Sequence, residues 1–489
     1  MMAALATAAM TLGEVFGAAA GNLAGVEVED LVLDSRQVKP GTVFVALPGT
    51  RGHGLDHLGD ALARGAAAIV YEPLEDRTQV DAPAIEIPDL TAQLGEIARA
   101  FFGQGGVPLT LTGVTGTNGK STVAHLIAQA QTLRGMDCGY LGTLGYGVPP
   151  DLAAQALTTP DCLSLHRALR SLAVGYAAME VSSHALAQDR IAGLEFDTAV
   201  FTNLSQDHLD YHGSFDRYRE AKASLFELQS LRHAVFFADD PAASMIAGRL
   251  GPEVTRIDVS MKRDADVRGR LVASDLHGIQ LEVQTPGGTT NVKSPLVGDF
   301  NAENLLLALG ALLAWDIPLT DACDALGRCA RLPGRMQVFG GDSETPWVIV
   351  DYAHTPAALA RALENLRRAA TNELWCVFGC GGQRDVGKRA AMGSAAAQFA
   401  NHIVLTDDNP REEDPSVIVA DIRLGVPAHP DLWVEHDRAR AITDVVGRAR
   451  AGDIVLIAGK GHETAQWIAS GEREFSDSAV VEQALEGRT

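Results

Sequence analysis

Cysteine is scarce in this 489-residue chain: there are six, at positions 138, 162, 323, 329, 376 and 380, with no Cys-x-x-Cys pair. That spacing indicates neither a disulfide framework nor a zinc ribbon, and a reducing cytoplasm is the expected compartment. Positive charge is also in deficit. Lys and Arg number 40 against 62 Asp and Glu, a net −22. A general nucleic-acid binder carries a basic footprint, so nucleic acid is not an expected partner. An anionic substrate stays open, because a pocket can be basic on an acidic protein. No Lys or Arg precedes Arg36, so the Ala-rich start lacks the basic region of a secretory signal. The longest apolar run, 305–315, falls short of the roughly 20 residues that span a bilayer. It predicts a buried helix, and no membrane insertion is expected. The chain also shows no internal repeat and no long low-complexity linker.

What is present is a globular composition, 46% hydrophobic and 21% charged. At about 100–200 residues per domain, the length allows two to four domains. Short apolar runs that end in Gly or polar clusters alternate with Ala/Leu-rich helical stretches, the pattern of an α/β protein with parallel sheets. Motif placement divides the chain into three. Residues 1–106 form a small α/β domain, with strands expected at 30–33, 43–47 and 67–71. Residues 107–333 form a central P-loop-type domain, a mostly parallel sheet flanked by helices. Its late part, 264–295, reads as antiparallel strands with Gly287-Gly288 as a turn signal. Residues 334–489 form a Rossmann-like domain with strands at 347–350, 374–378, 402–405 and 454–458. Each of these runs into a polar or Gly-rich loop, the place where open parallel sheets host ligands.

The strongest chemical signal is Gly116-Thr117-Asn118-Gly119-Lys120-Ser121-Thr122, between an apolar strand and a predicted helix at 123–133. Backbone N–H groups of such a loop and the helix N-terminus make an anion site. Lys120 can reach terminal phosphates, and the Ser121 hydroxyl can ligate Mg²⁺. The spacing departs from an ordinary Walker A, because Val114 stands where its first Gly would be.

This loop resembles the signature of the Mur ligase and folylpolyglutamate synthase superfamily. Further motifs carry the resemblance along nearly the whole chain. In the family they match, Glu180 and His208 (within Asn203-Leu204-Ser205-Gln206-Asp207-His208-Leu209-Asp210) hold magnesium, two ions being expected. Lys222, in Tyr218-Arg219-Glu220-Ala221-Lys222, is carbamylated, which turns a cation into an anionic oxygen ligand. Asn301 and Asn304 contact the nucleotide, although Asn301 could simply be an N-cap. Arg335 and Asp351 come near ATP, and Thr355-Pro356 can serve as helix cap and first residue.

The resemblance also implies substrate residues. Leu33, Ser35, Thr50, Arg51 and Gly52 match positions that hold a UDP-sugar. His53-Gly54-Leu55 departs from the usual Asp-Gly-His. Thr158, Thr159, Ser182, Gln188 and Arg190 match positions that hold the muramoyl peptide, with Leu157 replacing an Asn. Arg384, Asp408, Asn409, Pro410, Arg411, Gly459 and Glu463 match an amino-acid site, with Gln383 replacing an Asp. Asp-Asn-Pro-Arg marks addition of meso-diaminopimelate in the family. The chemistry agrees, since Arg411 can clamp a second carboxylate and Glu463 can hold a distal ammonium.

The implied activity is ATP-dependent amide ligation through an acyl phosphate, adding meso-diaminopimelate to UDP-N-acetylmuramoyl-L-alanyl-D-glutamate in peptidoglycan precursor synthesis. Catalysis would rest on Lys120, Glu180, His208 and Lys222. The expected protein is a cytoplasmic monomer with small-molecule partners only. Three alternatives stay open: the same ligase adding lysine or ornithine, a folate-polyglutamylating ligase, and a non-catalytic nucleotide-binding module.

Overall fold

A computed structural model describes residues 10–49, 52–74, 80–103, 107–426 and 431–488. The chain divides into two compact units. The first comprises Met1–Gly113, Asp137–Asp197 and Leu228–Leu231, and the second Val114–Met136, Thr198–Glu227 and Arg232–Thr489.

In the first unit, four parallel strands pair in chain order: Asp30–Val32, Thr42–Ala46, Ala68–Tyr71 and Ala84–Glu86. Thr42–Ala46 is buried on both faces, which is why it reads as a continuous apolar run rather than an alternation. Val43 and Val45 pack with Leu90, Leu94 and Phe101 of the helix Leu90–Phe102. Phe44 and Ala46 pack on the opposite side with Leu55 and Ala61. The same unit holds Tyr176–Glu180, parallel to Cys138–Gly142, and an antiparallel extension through Gly145–Val148 and Asp151–Ala153.

In the second unit, Thr198–Phe201, His233–Phe237, Thr255–Ser260 and Val267–Ser274 run parallel. Val267–Ser274, Ile279–Thr285 and Gly288–Ser294 then form the expected antiparallel meander. Thr285 pairs with Gly288, so the turn residues are Pro286 and Gly287, one position earlier than the Gly-Gly signal suggested. The helix Phe300–Ala314 is buried on nearly every face, as an all-round apolar sequence requires. It begins after Asp299, so Asn301 lies inside the helix rather than at its cap.

The C-terminal sheet has the order Gln337–Gly340, Trp347–Asp351, Ile454–Ala458, Leu374–Phe378, His402–Leu405, Leu432–Val434. Only the first strand is antiparallel. All residues of Leu374–Phe378 and Ile454–Ala458 are buried. Each large apolar side chain there contributes about 1.5–3 kcal/mol. The strand ends that launch the functional loops are therefore stiff. Thr355 caps Pro356–Ala369, accepting from Ala358 N at 3.3 Å, and Pro356 occupies the first turn. The six cysteines are buried and unbridged. Among the described residues, no helix is long and apolar enough to cross a membrane.

Candidate functional site

The phosphate loop leaves the strand Thr110–Thr115 and enters the helix Lys120–Leu133, three residues earlier than the sequence pattern marked. Two glycines permit the turn. Gly116 has φ +145° and Gly119 +87°, and a Cβ at Gly116 would collide with Thr202 Oγ1, one at Gly119 with Asn304 Oδ1. The loop is held from outside. Thr117 N donates to Asn203 O at 2.8 Å and Asn118 N to Asn203 Oδ1 at 3.0 Å. Thr202 Oγ1 donates to Asn118 O at 2.6 Å. Lys120 Nζ curls back onto Gly116 O and Thr117 O, both at 2.9 Å. Ser121 and Thr122 are buried in the first helical turn, and Arg335 Nη2 donates to Ser121 Oγ at 3.0 Å.

Lys222, 1% exposed, donates from Nζ to Gly116 O at 2.7 Å. Its nitrogen also lies 4.6 Å from the Tyr218 ring centroid. Burial, and next the charge of Lys120, hold this amine far below the ordinary lysine range. Tyr218 exchanges a hydrogen bond with Thr117 Oγ1 at 3.0 Å, so one side chain touches both the loop and Lys222. His208 sits in a left-handed conformation, φ +51°, with Nε2 3.4 Å from Asp207 Oδ2. Burial lowers its pKa to about 4 against the pull of Asp207, so the imidazole is neutral at pH 7. A neutral imidazole has a lone pair to offer a cation.

Asn301 Nδ2 donates to Val297 O at 2.7 Å, and Asn304 Nδ2 to Asn301 Oδ1 at 2.8 Å. With Asn304 beside Gly119, this pair adjoins the phosphate loop. Arg335 stacks 4.3 Å from the Tyr352 ring centroid. Asp351 accepts from Met336 N at 2.7 Å and Ala353 N at 2.9 Å. Burial raises its pKa, opposed by Arg335 and these N–H groups.

In the first unit, Glu180 is 1% exposed at the end of its strand. Its Oε1 accepts from Tyr140 Oη and Thr143 N, each at 2.7 Å, and Oε2 from Thr143 Oγ1 at 3.2 Å. Five expected substrate residues gather around it. Thr158 Oγ1 lies 3.0 Å from Thr143 Oγ1, and Thr159 Oγ1 donates to Glu180 O at 2.9 Å. Ser182 N donates to Thr159 Oγ1 at 3.1 Å. Arg190 donates to Thr159 O at 2.8 Å, and its Nε and Nη2 fork onto Gln188 Oε1 at 3.0 and 2.7 Å. Leu157 is exposed. On the small sheet, Ser35 Oγ donates to Asp60 Oδ2 at 2.8 Å, Leu33 packs on the core, and Gly52 O accepts from Gly49 N at 2.8 Å. Thr50 and Arg51 lie outside the described residues. His53 Nδ1 accepts from Leu55 N at 3.1 Å, a local cap for the turn.

In the second unit, the loops after His402–Leu405 and Ile454–Ala458 converge. Asn409 Nδ2 donates to Glu463 Oε2 at 2.9 Å. Arg411, at φ +55°, donates to Gly382 O at 2.7 Å, and its own N–H bonds Trp467 O at 2.9 Å. Burial lowers the Arg411 pKa, followed by repulsion from exposed Arg384, against Asp408 and Glu463. Gly459 N donates to Asp351 O at 3.1 Å. Pro410 is buried, and its carbonyl accepts from Glu413 N at 3.1 Å. Gln383 N donates to Glu413 Oε2 at 2.8 Å.

Sequence reasoning missed five contributors: Tyr140, Thr143, Asn203, Tyr218 and Lys460. Tyr218 is one helical turn before Lys222, which i, i+4 spacing could have flagged. Asn203 and Lys460 lay inside quoted motifs without a role. Nothing local marks Tyr140 or Thr143, which meet Glu180 only across paired strands.

Three stretches match family descriptions: 27–102 the Mur ligase family catalytic domain, 114–312 the Mur ligase middle domain, and 334–461 the Mur ligase glutamate ligase domain. A UDP-N-acetylmuramoyl-L-alanyl-D-glutamate–2,6-diaminopimelate ligase of Xanthomonas campestris is 47% identical over 471 residues, 95% of each chain. A protein of the same description from Pseudomonas putida is 44% identical, covering 94% of this chain and 95% of its own. A solved structure so described superposes with a TM-score of 0.69 at 37% identity, covering 98% of this chain and 99% of that one. MurF from Acinetobacter baumannii, 17% identical with a TM-score of 0.71 over 99% of this chain and all of its own, shares the fold. On these similarities, the chain belongs to the Mur ligase family, with that family's three-domain α/β architecture.

Proposed function

We propose that this protein is an ATP-dependent, ADP-forming amide ligase that adds meso-diaminopimelate to UDP-N-acetylmuramoyl-L-alanyl-D-glutamate in peptidoglycan precursor synthesis. What carries the reading is likeness along the whole chain to ligases so described, at 47% identity over 95% of both chains. The convergence of Asn409, Arg411 and Glu463 supports the amino acid: a cationic fork and a carboxylate suit a distal carboxylate and ammonium. The proposed domains are 1–106 for the UDP-substrate, 107–333 for ATP and 334–489 for the amino acid. ATP as co-substrate is consistent with a cytoplasmic protein.

The glutamyl carboxylate attacks the γ-phosphate of ATP and releases ADP. The amine of the incoming amino acid then attacks the acyl phosphate, and phosphate leaves from the tetrahedral intermediate. Lys120 and the loop N–H groups of 116–122 neutralise charge on the transferring phosphoryl group. Asn301, Asn304, Arg335 and Asp351 hold the nucleotide. Leu33, Ser35, Thr50, Arg51 and Gly52 hold the UDP end, and Thr158, Thr159, Ser182, Gln188 and Arg190 the peptide end. Arg384, Asp408, Asn409, Pro410, Arg411, Gly459 and Glu463 hold diaminopimelate.

The proposed residues for magnesium are Ser121, His208 and carbamylated Lys222 in the second unit and Glu180 in the first. Among the described residues, no three His, Cys, Asp or Glu side chains cluster, which fits an ion that takes much of its coordination from phosphates and water. When bound, the ions supply Lewis-acid neutralisation of phosphate charge.

The test is a substrate panel with purified protein, ATP, Mg²⁺ and the UDP-dipeptide. Phosphate release that needs the UDP-dipeptide and prefers diaminopimelate over lysine and ornithine is expected. Preference for lysine or ornithine overturns the choice of amino acid, and release without any acceptor overturns the ligase.

A further inference from the structure

Lys460 has no solvent exposure at all. Its Nζ donates to Asn409 Oδ1 at 3.0 Å and to Glu463 Oε2 at 2.7 Å. Trp467 N also donates to Asn409 Oδ1, at 2.9 Å. Two donors on Oδ1 fix the Asn409 amide, so that Nδ2 points at Glu463 Oε2. Glu463 Oε2 thereby accepts twice, which fixes its carboxylate. Burying an ammonium is costly, and an apolar side chain of similar length would stabilise the core as well or better. The lysine is placed where charge, not packing, is the useful property.

The charges on these loops point the same way. Arg411 lies among Arg384, Asp408 and Glu463, and Lys460 is a second, fully buried cation paired with Glu463. The neighbouring Arg438–Asp477 pair, whose Arg438 Nη2 anchors Ala458 O at 3.0 Å just before this loop, is neutral within itself. Diaminopimelate with its attacking amine deprotonated carries two carboxylates and one ammonium. Lysine in the same state carries one of each. A second carboxylate gains from a second cation near Arg411, and removing Lys460 removes it.

We propose that Lys460 is a specificity-determining positioning residue: it orients Asn409 and Glu463 and supplies the cation that favours an amino acid with a second carboxylate over one without. The inference rests on the ligase reading above.

The test compares wild type with Lys460→Met in the full ligase assay, varying each substrate in turn. The expected result is a rise of at least about tenfold in KM for diaminopimelate, with KM for ATP unchanged and a reduced preference for diaminopimelate over lysine. An unchanged KM and preference in a folded variant overturns the proposal. Lys460→Gln, which keeps a donor toward Asn409, replaces Lys460→Met should the latter not fold. Failure of both to fold overturns the proposal in favour of a structural role. A wild type that uses no amino acid refutes the ligase reading instead, so the two failures are distinguishable.

Discussion

The Nζ atoms of Lys120 and Lys222 donate to the same carbonyl oxygen, that of Gly116, at 2.9 and 2.7 Å. Two ammonium ions this close repel, and Lys222 is the buried one, so it is the one that gives up its proton. A neutral amine is the form that attacks CO₂, forming an N–C bond and releasing one proton. Protein equilibrated with ¹³C-bicarbonate is expected to show one carbamate carbon signal that Lys222→Arg lacks. The same variant should lose about a hundredfold or more in turnover. Full turnover with an unmodified Lys222 removes this role.

Lys120→Ala deletes the loop's cation while leaving its backbone held by Asn203 and Thr202. Turnover should fall by about two to three orders of magnitude, with an unchanged circular dichroism spectrum. Near-normal kcat would show that Lys120 only pins the loop.

Tyr140→Phe takes away one of the donors to Glu180 Oε1, the 2.7 Å bond from a fully buried hydroxyl. A loss of about 1–3 kcal/mol in unfolding free energy is expected, because a buried carboxylate loses a partner it cannot replace with solvent. Urea denaturation measures it, and an unchanged midpoint would mean the hydroxyl does not support Glu180.

His125 faces the core from the helix Lys120–Leu133, and burial lowers its pKa to about 4. The unfolded side chain takes up a proton below about pH 6.5, the folded one only below about 4. Its contribution is therefore full above pH 6.5 and falls as the pH drops between 6.5 and 4, by up to about 3 kcal/mol. His125→Leu should make that part of the stability profile shallower, with His208, which burial also lowers to about 4, still contributing. A slope the substitution leaves unchanged removes His125 from the titration.

Much of the scaffold was legible in advance, for a local reason. The strands Leu374–Phe378, His402–Leu405 and Ile454–Ala458 fall where their apolar runs end, since a strand buried on both faces needs no partner to reveal itself. Boundaries shifted by a few residues: the helix expected from 123 starts at Lys120, and the helix that Asn301 could have capped starts before it, at Phe300.

By itself the sequence determined the chemistry available. The Gly-Thr-Asn-Gly-Lys-Ser loop, Asp-Asn-Pro-Arg and Gly-Lys-Gly-His-Glu are contiguous, and their spacing reflects backbone geometry that neighbouring residues set. Tertiary structure alone decided which of these groups share a partner. Lys120 and Lys222 meet on one carbonyl although 102 positions separate them, and Lys460 reaches Asn409 across 51. Such charges act through distance and burial, and neither is written in the order of residues along the chain.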